Sequence, residues 1–365
     1  YCSQFHFKGN HQMKEIIIQE NEAGKRLDRL LKQYLSEASS GFLYKMLRKK
    51  NITLNGKKAD GTEKLVSGDT IRIFMADETI EKFGNRMLKA SSDQNLTEEQ
   101  IQPYLDAYRK LKGITVLFEN HHLVFVNKPA GVLSQKAEPE DMSLNEWLIG
   151  YLLKTGKITA QSLTTYHPSI CNRIDRNTSG IVVCAVTLPG AQQMARMLKE
   201  RTIGKFYRTV VAGVIEEPAH IKARIVKNEK TNTVKILPWK DSAEDDTDAV
   251  QNAGDPIETA YRPVAVNRKD QLTCLEVELL TGKTHQIRAH LSSTGHPLVG
   301  DYKYGNQKLN EKFRADYGVR SQLLHSYRLE FPQMEEPFSD LSGMKIIAPV
   351  PDPMRRILAE KFHLT

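Results

Sequence analysis

At 365 residues the chain is long enough for two folded units, taking roughly 150 residues per domain as a guide. A composition 40% hydrophobic and 26% charged allows a sizeable core and argues against wholesale disorder, and no run approaches the ~18 uninterrupted apolar residues of a membrane span. Subtracting 44 acidic from 52 basic residues leaves a formal charge of +8, compatible with a polyanionic partner and equally with an ordinary soluble protein, so its distribution decides.

Tyr1 to Gln12 have neither an apolar h-region nor a small-residue cleavage site, which argues against a secretory signal; residues 1–12 read as a leader or disordered tail ahead of a start at Met13. Cys2, Cys171, Cys184 and Cys274 lie far apart with no Cys-x-x-Cys pair, against a zinc ribbon, a thioredoxin-type site or a disulfide framework. Free thiols suit a reducing cytoplasm.

Leu27, Leu30, Leu31, Tyr34 and Leu35 recur at i, i+3, i+4, i+7 and i+8, one apolar face of a helix. Ser39 and Ser40 offer the N-cap of a second helix carrying Phe42, Leu43, Met46 and Leu47, with Lys45, Arg48 and Lys49 on its opposite face. Ile52–Leu54 reads as a short strand before the hairpin dipeptide Asn55-Gly56, and Gly68-Asp69 as a turn before a last strand bracketed by Ile71 and Phe74. Lys45, Arg48, Lys49, Lys50, Lys57 and Lys58 fall together with no acid among them. A bare run of this kind is usually a solvated face, but on one helix face and the adjoining turn it is placed to track a phosphate backbone.

These pieces resemble an S-four-type RNA-binding domain over residues 13–77: Lys25-Arg26-Leu27-Asp28-Arg29-Leu30-Leu31, the basic second helix, Ile52-Thr53-Leu54-Asn55-Gly56 and Gly68-Asp69-Thr70-Ile71. The resemblance implies structured RNA as partner, not which chemistry follows. Residues 78–112 then read as a flexible linker with one helical piece: Ser91 to Asn95 are polar and turn-rich, Thr97 and Gln100 have capping-box spacing, and Pro103 is expected to break or restart the helix they open.

From Ile114 onward β-rich segments alternate with a few helices. Strands are expected at Ile114–Phe118, Leu123–Asn127, Ile181–Val186, Phe206–Val211, Leu272–Leu279 and Leu323–Leu329. Ser143 and Glu146 form a capping box for a helix bearing Trp147, Leu148, Tyr151 and Leu152, and another helix follows Pro189 through Leu198. No regular βαβ period is present, so the expectation is an α+β fold around a large mixed, mainly antiparallel sheet over residues 113–350, preceded by the small helix-helix-β module. Residues 241–255 read as an acidic surface loop, and 351–365 as a C-terminal helix or tail with helical spacing over Met354–Phe362.

Two segments are dense in chemistry. Cys171-Asn172-Arg173-Ile174-Asp175-Arg176-Asn177-Thr178-Ser179-Gly180 sets a carboxylate between two arginines in a polar loop running into an apolar strand. That placement suits a cleft, though Asp175 alone could serve an Asx turn. In Thr281-Gly282-Lys283-Thr284-His285-Gln286-Ile287-Arg288-Ala289-His290 the Gly-Lys-Thr invites a phosphate loop, but the glycine this motif requires at 277 is Val277. His285 and His290 are five apart without the glutamate of a zinc-protease helix, so no metal site is expected.

With Asn127-Lys128-Pro129-Ala130-Gly131-Val132, Lys205-Phe206-Tyr207-Arg208 and Gly300-Asp301-Tyr302-Lys303-Tyr304-Gly305, in this order, these segments resemble the RluA family of pseudouridine synthases over about Ile114 to Pro349. The family signature usually begins His-Arg-Leu-Asp; Asn172 and Ile174 stand here for the His and Leu. Carried over by position, the resemblance implies that Asp175 is the catalytic aspartate, Tyr207 the aromatic stacking on the target base, and Arg288 the cation paired with the aspartate. Arg173 would help displace the flipped base, and Asn172, Lys128, Lys283 and His285 would contact substrate, while Lys45, Arg48, Lys49 and Lys50 dock RNA.

Pseudouridylation detaches uracil from ribose, turns it and rejoins it through carbon, so no group is imported and no cofactor is expected. An ordinary aspartate titrates near 3.9, so the carboxylate such chemistry needs is available at neutral pH. The implied partner is large-subunit (23S) ribosomal RNA or an assembly intermediate, met by a cytoplasmic monomer without a membrane. The alternatives are a non-catalytic ribosome-assembly protein on the same fold, which would not need Asp175, Tyr207 and Arg288 together, or the same chemistry on tRNA. An S-four-containing methyltransferase would want a glycine-rich nucleotide loop, and a tyrosyl-tRNA synthetase ATP-binding signatures; neither is visible.

Overall fold

A computed structural model describes residues 13–18, 22–75, 79, 82, 83, 98–160, 162–164, 166–239 and 254–364. The leader, most of the linker with the Ser91–Asn95 and Thr97 positions, and most of the acidic loop lie outside the described residues.

The N-terminal unit consists of β1 (Met13–Ile17), α1 (Leu27–Tyr34), α2 (Ser40–Arg48), β2 (Ile52–Leu54), β3 (Lys57–Lys58) and β4 (Thr70–Phe74). Its 4-stranded antiparallel sheet has the order β1-β4-β2-β3. The leucine stripe does what its spacing predicts: Leu27, Leu30, Leu31 and Leu35 are buried with Leu43, Leu47, Ile52, Ile71 and Ile73. Ser39 caps α2 by accepting from the Phe42 amide at 3.2 Å. Strand β1 was not legible, because as an edge strand it leaves Met13 and Ile17 half exposed and lacks a clear apolar face.

Next come α3 (Glu98–Lys110), β5 (Thr115–Glu119), β6 (Leu123–Lys128), α4 (Leu144–Lys154), β7 (Ser169–Ile170), β8 (Ser179–Ala185), α5 (Leu188–Glu200), β9 (Gly204–Ala212), β10 (Ala219–Asn228), β11 (Thr233–Pro238), β12 (Asp255–Asn267), β13 (Leu272–Leu279), α6 (Gln286–Ser293), α7 (Gln307–Tyr317), β14 (Leu324–Glu330), β15 (Lys345–Ile347) and α8 (Met354–Phe362). An 11-stranded sheet runs β11-β10-β12-β13-β9-β14-β8-β6-β5, with β15 beside β14 and β7 beside β8. Every pairing is antiparallel except β14 with β8, so the sheet is mixed and mainly antiparallel. None of the described helices is long and apolar enough to cross a membrane.

Strand β8 is buried at every position because both faces are covered, α5 packing on one and α4 on the other. Across β9 and β13 the same division holds, with α7 and α8 on one face and α6 on the other. At the parallel junction a Cβ on Gly180 would strike the Ser326 carbonyl, so the Thr178-Ser179-Gly180 signature closes on a position only glycine fits.

Two expectations need correction. Pro103 does not break its helix: α3 runs through it, one lost hydrogen bond being offset by packing on α4. Tyr108 sits 5.7 Å from the Trp147 ring, and a Cβ on Gly150 would strike the Tyr104 carbonyl, so the two helices meet at backbone distance. Residues 98–110 are therefore packed structure, not tether. At the C-terminus the expected helix is present as α8, and its Met354, Ile357, Leu358 and Phe362 join the core under β9 and β13.

Candidate active site

Asp175 stands in the loop between β7 and β8, and that loop is fastened on both sides of it. The Ser134 hydroxyl donates to the Ile174 carbonyl at 2.8 Å, and the Gly131 amide to the Arg176 carbonyl at 2.9 Å. Lys128 supplies the third fastening. It is fully buried, and its ammonium donates to the carbonyls of Pro129, Val132 and Arg176 at 3.0, 2.8 and 3.0 Å. Burial pulls its pKa down to about 7, with the Asp175 charge opposing. The expected substrate contact at Lys128 is thus corrected: three donors meet three backbone acceptors, and none faces the cleft. Asn172 is also turned inward, its Oδ1 accepting from the Val183 amide at 2.8 Å, so the residue replacing the family's His caps a strand.

The cleft itself is about 870 Å³. Among the described residues Asp175 is its only acidic lining residue, ringed by Lys136, Arg173, Arg176, Lys227, Lys283 and Lys303. Arg288, brought by α6, donates through Nη1 to Asp175 Oδ2 at 2.9 Å, while its Nε and Nη2 grip Asp301 at 2.7 and 3.0 Å. One guanidinium is therefore shared by two carboxylates, fork-to-fork with fully buried Asp301 and through one nitrogen with Asp175. Burial works to raise the Asp301 pKa, but Arg288 and the amides of Lys303 and Tyr304 hold it below the ordinary range. Sharing leaves Asp175 Oδ1 without a protein partner among the described residues.

Tyr207 of β9 lines the same cleft at 7% exposure. Burial pushes its hydroxyl up to about 12, a Ser326 hydrogen bond working against it, so the phenol is neutral at physiological pH. The ring backs the cleft between Val277 on β13 and Ser326 on β14, its partners across the sheet. Arg173 is exposed at the mouth, and Lys283 pairs with Asp255 at 2.8 Å on the rim. His285 lies beside Asp175, its Nε2 3.9 Å from Oδ2.

Sequence reasoning missed Asp301 and Tyr304 as site residues. Both stand in the Gly300-Asp301-Tyr302-Lys303-Tyr304-Gly305 block, but an aspartate after glycine reads as a turn residue until the buried arginine against it is known. In the N-terminal unit, Lys45, Arg48, Lys49, Lys50, Lys57 and Lys58 are all exposed, and no acid pairs with them among the described residues. Among the described residues no group of histidines, cysteines and acids is arranged to hold a metal.

Residues 122–293, which span the Asp175 loop, Tyr207 and Arg288, match the family described as RNA pseudouridylate synthase. A ribosomal large subunit pseudouridine synthase D from Nitrosomonas europaea is 30% identical, over 96% of this chain and 88% of the relative. The chain belongs to the RluA family of pseudouridine synthases. A ribosomal large subunit pseudouridine synthase C from Vibrio parahaemolyticus is 27% identical over 95% of this chain and 96% of the relative. The human RNA pseudouridylate synthase domain containing 4 shares the fold, with a TM-score of 0.51 at 21% identity over 70% of this chain and 95% of that one. As an RluA-family enzyme the protein is an isomerase that turns uridine in RNA into pseudouridine.

Proposed function

We propose that this enzyme modifies uridines of large-subunit (23S) ribosomal RNA, free or in an assembly intermediate, as a cytoplasmic monomer, with Asp175 as catalytic aspartate, Tyr207 as stacking platform, Arg288 as partner of the aspartate and Arg173 as the residue at the displaced base. The observation that carries the reading is the Asp175 carboxylate in the cleft, fixed by one guanidinium nitrogen and ringed by cations. The rRNA assignment is supported by likeness over nearly the whole chain to two enzymes named for the large ribosomal subunit.

The chemistry follows from what each group can do. A uridine must leave its stack to reach the cleft, which costs a few kcal/mol and is offset by an aromatic platform and inserted side chains. The cations at the mouth take the flanking phosphates. Arg288 orients Asp175 through Oδ2, leaving Oδ1 to meet base or ribose. The C1′–N1 bond breaks, a C1′–C5 bond forms, C5 gives up its proton and N1 gains one, so the balance needs no oxidant or donor. Residues 13–77 act as the S-four-type docking unit, their exposed lysines and Arg48 following a phosphate backbone.

Mapping pseudouridines in total RNA from cells with and without this protein tests the substrate. Loss at large-subunit rRNA positions is expected; loss confined to tRNA overturns the assignment.

A further inference from the structure

His285 is a non-glycine residue in the left-handed region, at φ 54 and ψ 15, immediately before α6. Such a backbone is held only where its surroundings over-determine it. Tyr304 supplies the constraint. Its hydroxyl oxygen accepts from the Val234 amide at 2.9 Å and lies 2.8 Å from His285 Nδ1. The phenol has one proton to give; given to Nδ1, it leaves the neutral imidazole with its own proton on Nε2. Tyr304 is itself pinned: its amide donates to Asp301 Oδ1 at 3.1 Å, and Arg288 lies over its ring at 5.3 Å.

The Nε2–H so fixed opens into the cleft beside Asp175, and 3.9 Å to Oδ2 is too long for a hydrogen bond. We propose that His285 is a further catalytic residue, a neutral donor to a carbonyl oxygen of the flipped uracil, and that Tyr304 is the positioning residue that sets its tautomer. This rests on the site assigned above. When the C1′–N1 bond breaks, both electrons go to the base, and negative charge spreads from N1 onto its carbonyl oxygens. A donor already aimed there stabilises that charge without reorganising.

Neutrality matters as much as aim, because an imidazolium at this point would pair with Asp175 and occupy it. The charged groups facing His285 are Asp175 from the loop before β8, Arg288 from its own helix, and Asp301 and Lys303 from the Tyr304 loop. Burial lowers the histidine's pKa, the two aspartates oppose this, and Arg288 and Lys303 reinforce it.

The test uses full-length enzyme and total RNA, so the readout does not depend on which RNA holds the uridine. Single-turnover rate, followed by tritium released from uridine C5, is set beside RNA affinity. His285→Leu is expected to slow the rate on the order of 10²-fold, as for removal of one preorganised donor, with affinity unchanged. His285→Gln, which keeps an N–H of similar reach, is expected to recover about tenfold of it. Tyr304→Phe keeps the ring under Arg288 but frees the tautomer. The rate should fall about tenfold and acquire an acid limb that the wild type lacks at the same pH.

Equal losses for Leu and Gln, or a loss of affinity at unchanged rate, would overturn the donor role. A Tyr304→Phe pH profile superimposable on the wild type would overturn the tautomer lock. If His285→Leu fails to fold, the Gln and Phe variants decide by the same criteria. Pseudouridines formed only in tRNA would sink the rRNA assignment and leave His285 where it stands.

Discussion

The cleft and the basic face of α2 use charge in opposite ways. At the cleft one arginine is buried between two carboxylates at 2.9 and 2.7 Å, so each charge has a fixed geometry and a dedicated partner. On α2 the cations are exposed and have no acidic partner among the described residues, and they act through their number. The first arrangement suits chemistry, where a misplaced atom is costly, and the second suits recognition of a backbone that repeats the same charge. The two should therefore fail differently when residues are removed.

Asp175→Asn should show the largest effect, a loss of turnover on the order of 10⁴-fold with RNA affinity nearly intact, because the amide neither ionises nor attacks while phosphate contacts persist. Single-turnover assays retaining substantial activity would remove Asp175 from its role. Arg288→Met should cost roughly 10²–10³-fold in rate and lower stability by about 3–5 kcal/mol, since it strands both Asp175 and fully buried Asp301. A fall in RNA affinity alone would make Arg288 a phosphate ligand. Tyr207→Leu should lose about 10–100-fold, the worth of one stacked base, and Tyr207→Phe only a few-fold; equal losses would point to the hydroxyl.

Acid sharpens the comparison through stability. His325, fully buried, accepts from the Ser179 hydroxyl at Nδ1 (2.9 Å) and donates from Nε2 to the Ala348 carbonyl (3.3 Å). Burial lowers its pKa to about 4, against an unfolded value near 6.5. The folded pKa is depressed, so this stability is present above pH 6.5 and is lost as pH falls toward 4, roughly 2 kcal/mol between pH 7.5 and 5. Residues 13–75 contain no histidine, and both tryptophans, Trp147 and Trp239, lie in the larger unit. Tryptophan-monitored denaturation should weaken on acidification, and His325→Gln should flatten the change. A variant as acid-sensitive as wild type would show that the loss arises elsewhere.

The mildest effect belongs to α2. Replacing Lys45, Arg48 and Lys49 by alanine should weaken RNA binding about tenfold and reduce the slope of log affinity on log salt by about 2, with little regard to RNA sequence. An unchanged slope would assign this face to something other than RNA docking.

Where apolar spacing was strong, the elements were legible: α1, α2, α4, α5, α8 and the buried strands β6, β8, β9 and β13 fall within a few residues of expectation. Strands β10, β11 and β12 were not, because they interleave lysine, arginine and threonine with their apolar positions. Strand β12 also carries Pro263 at a register shift, where a bulge spares the lost amide. Helix α7 escaped for a related reason: a single row of Leu309, Phe313 and Tyr317 buries little, and its Asn306 cap and left-handed Gly318 emerge only once it is packed.

What the sequence determined by itself was local or composed of unbroken motifs: the capped helices, the fully apolar strands, the basic run on α2 and the Asp175 block with the family it marks. These depend on residues a few positions apart, whose periodicity and turn chemistry act before the chain closes on itself. Only tertiary structure decided that Lys128 and Asn172 brace the loop from behind, and that Asp301, 126 residues beyond Asp175, shares its arginine. The same holds for Tyr304, whose hydroxyl lies 2.8 Å from His285 Nδ1. A hydrogen bond requires placement to a few tenths of an ångström, and for residues so distant in the chain that placement comes from the packing of α6 and the sheet, not from any pattern along the sequence.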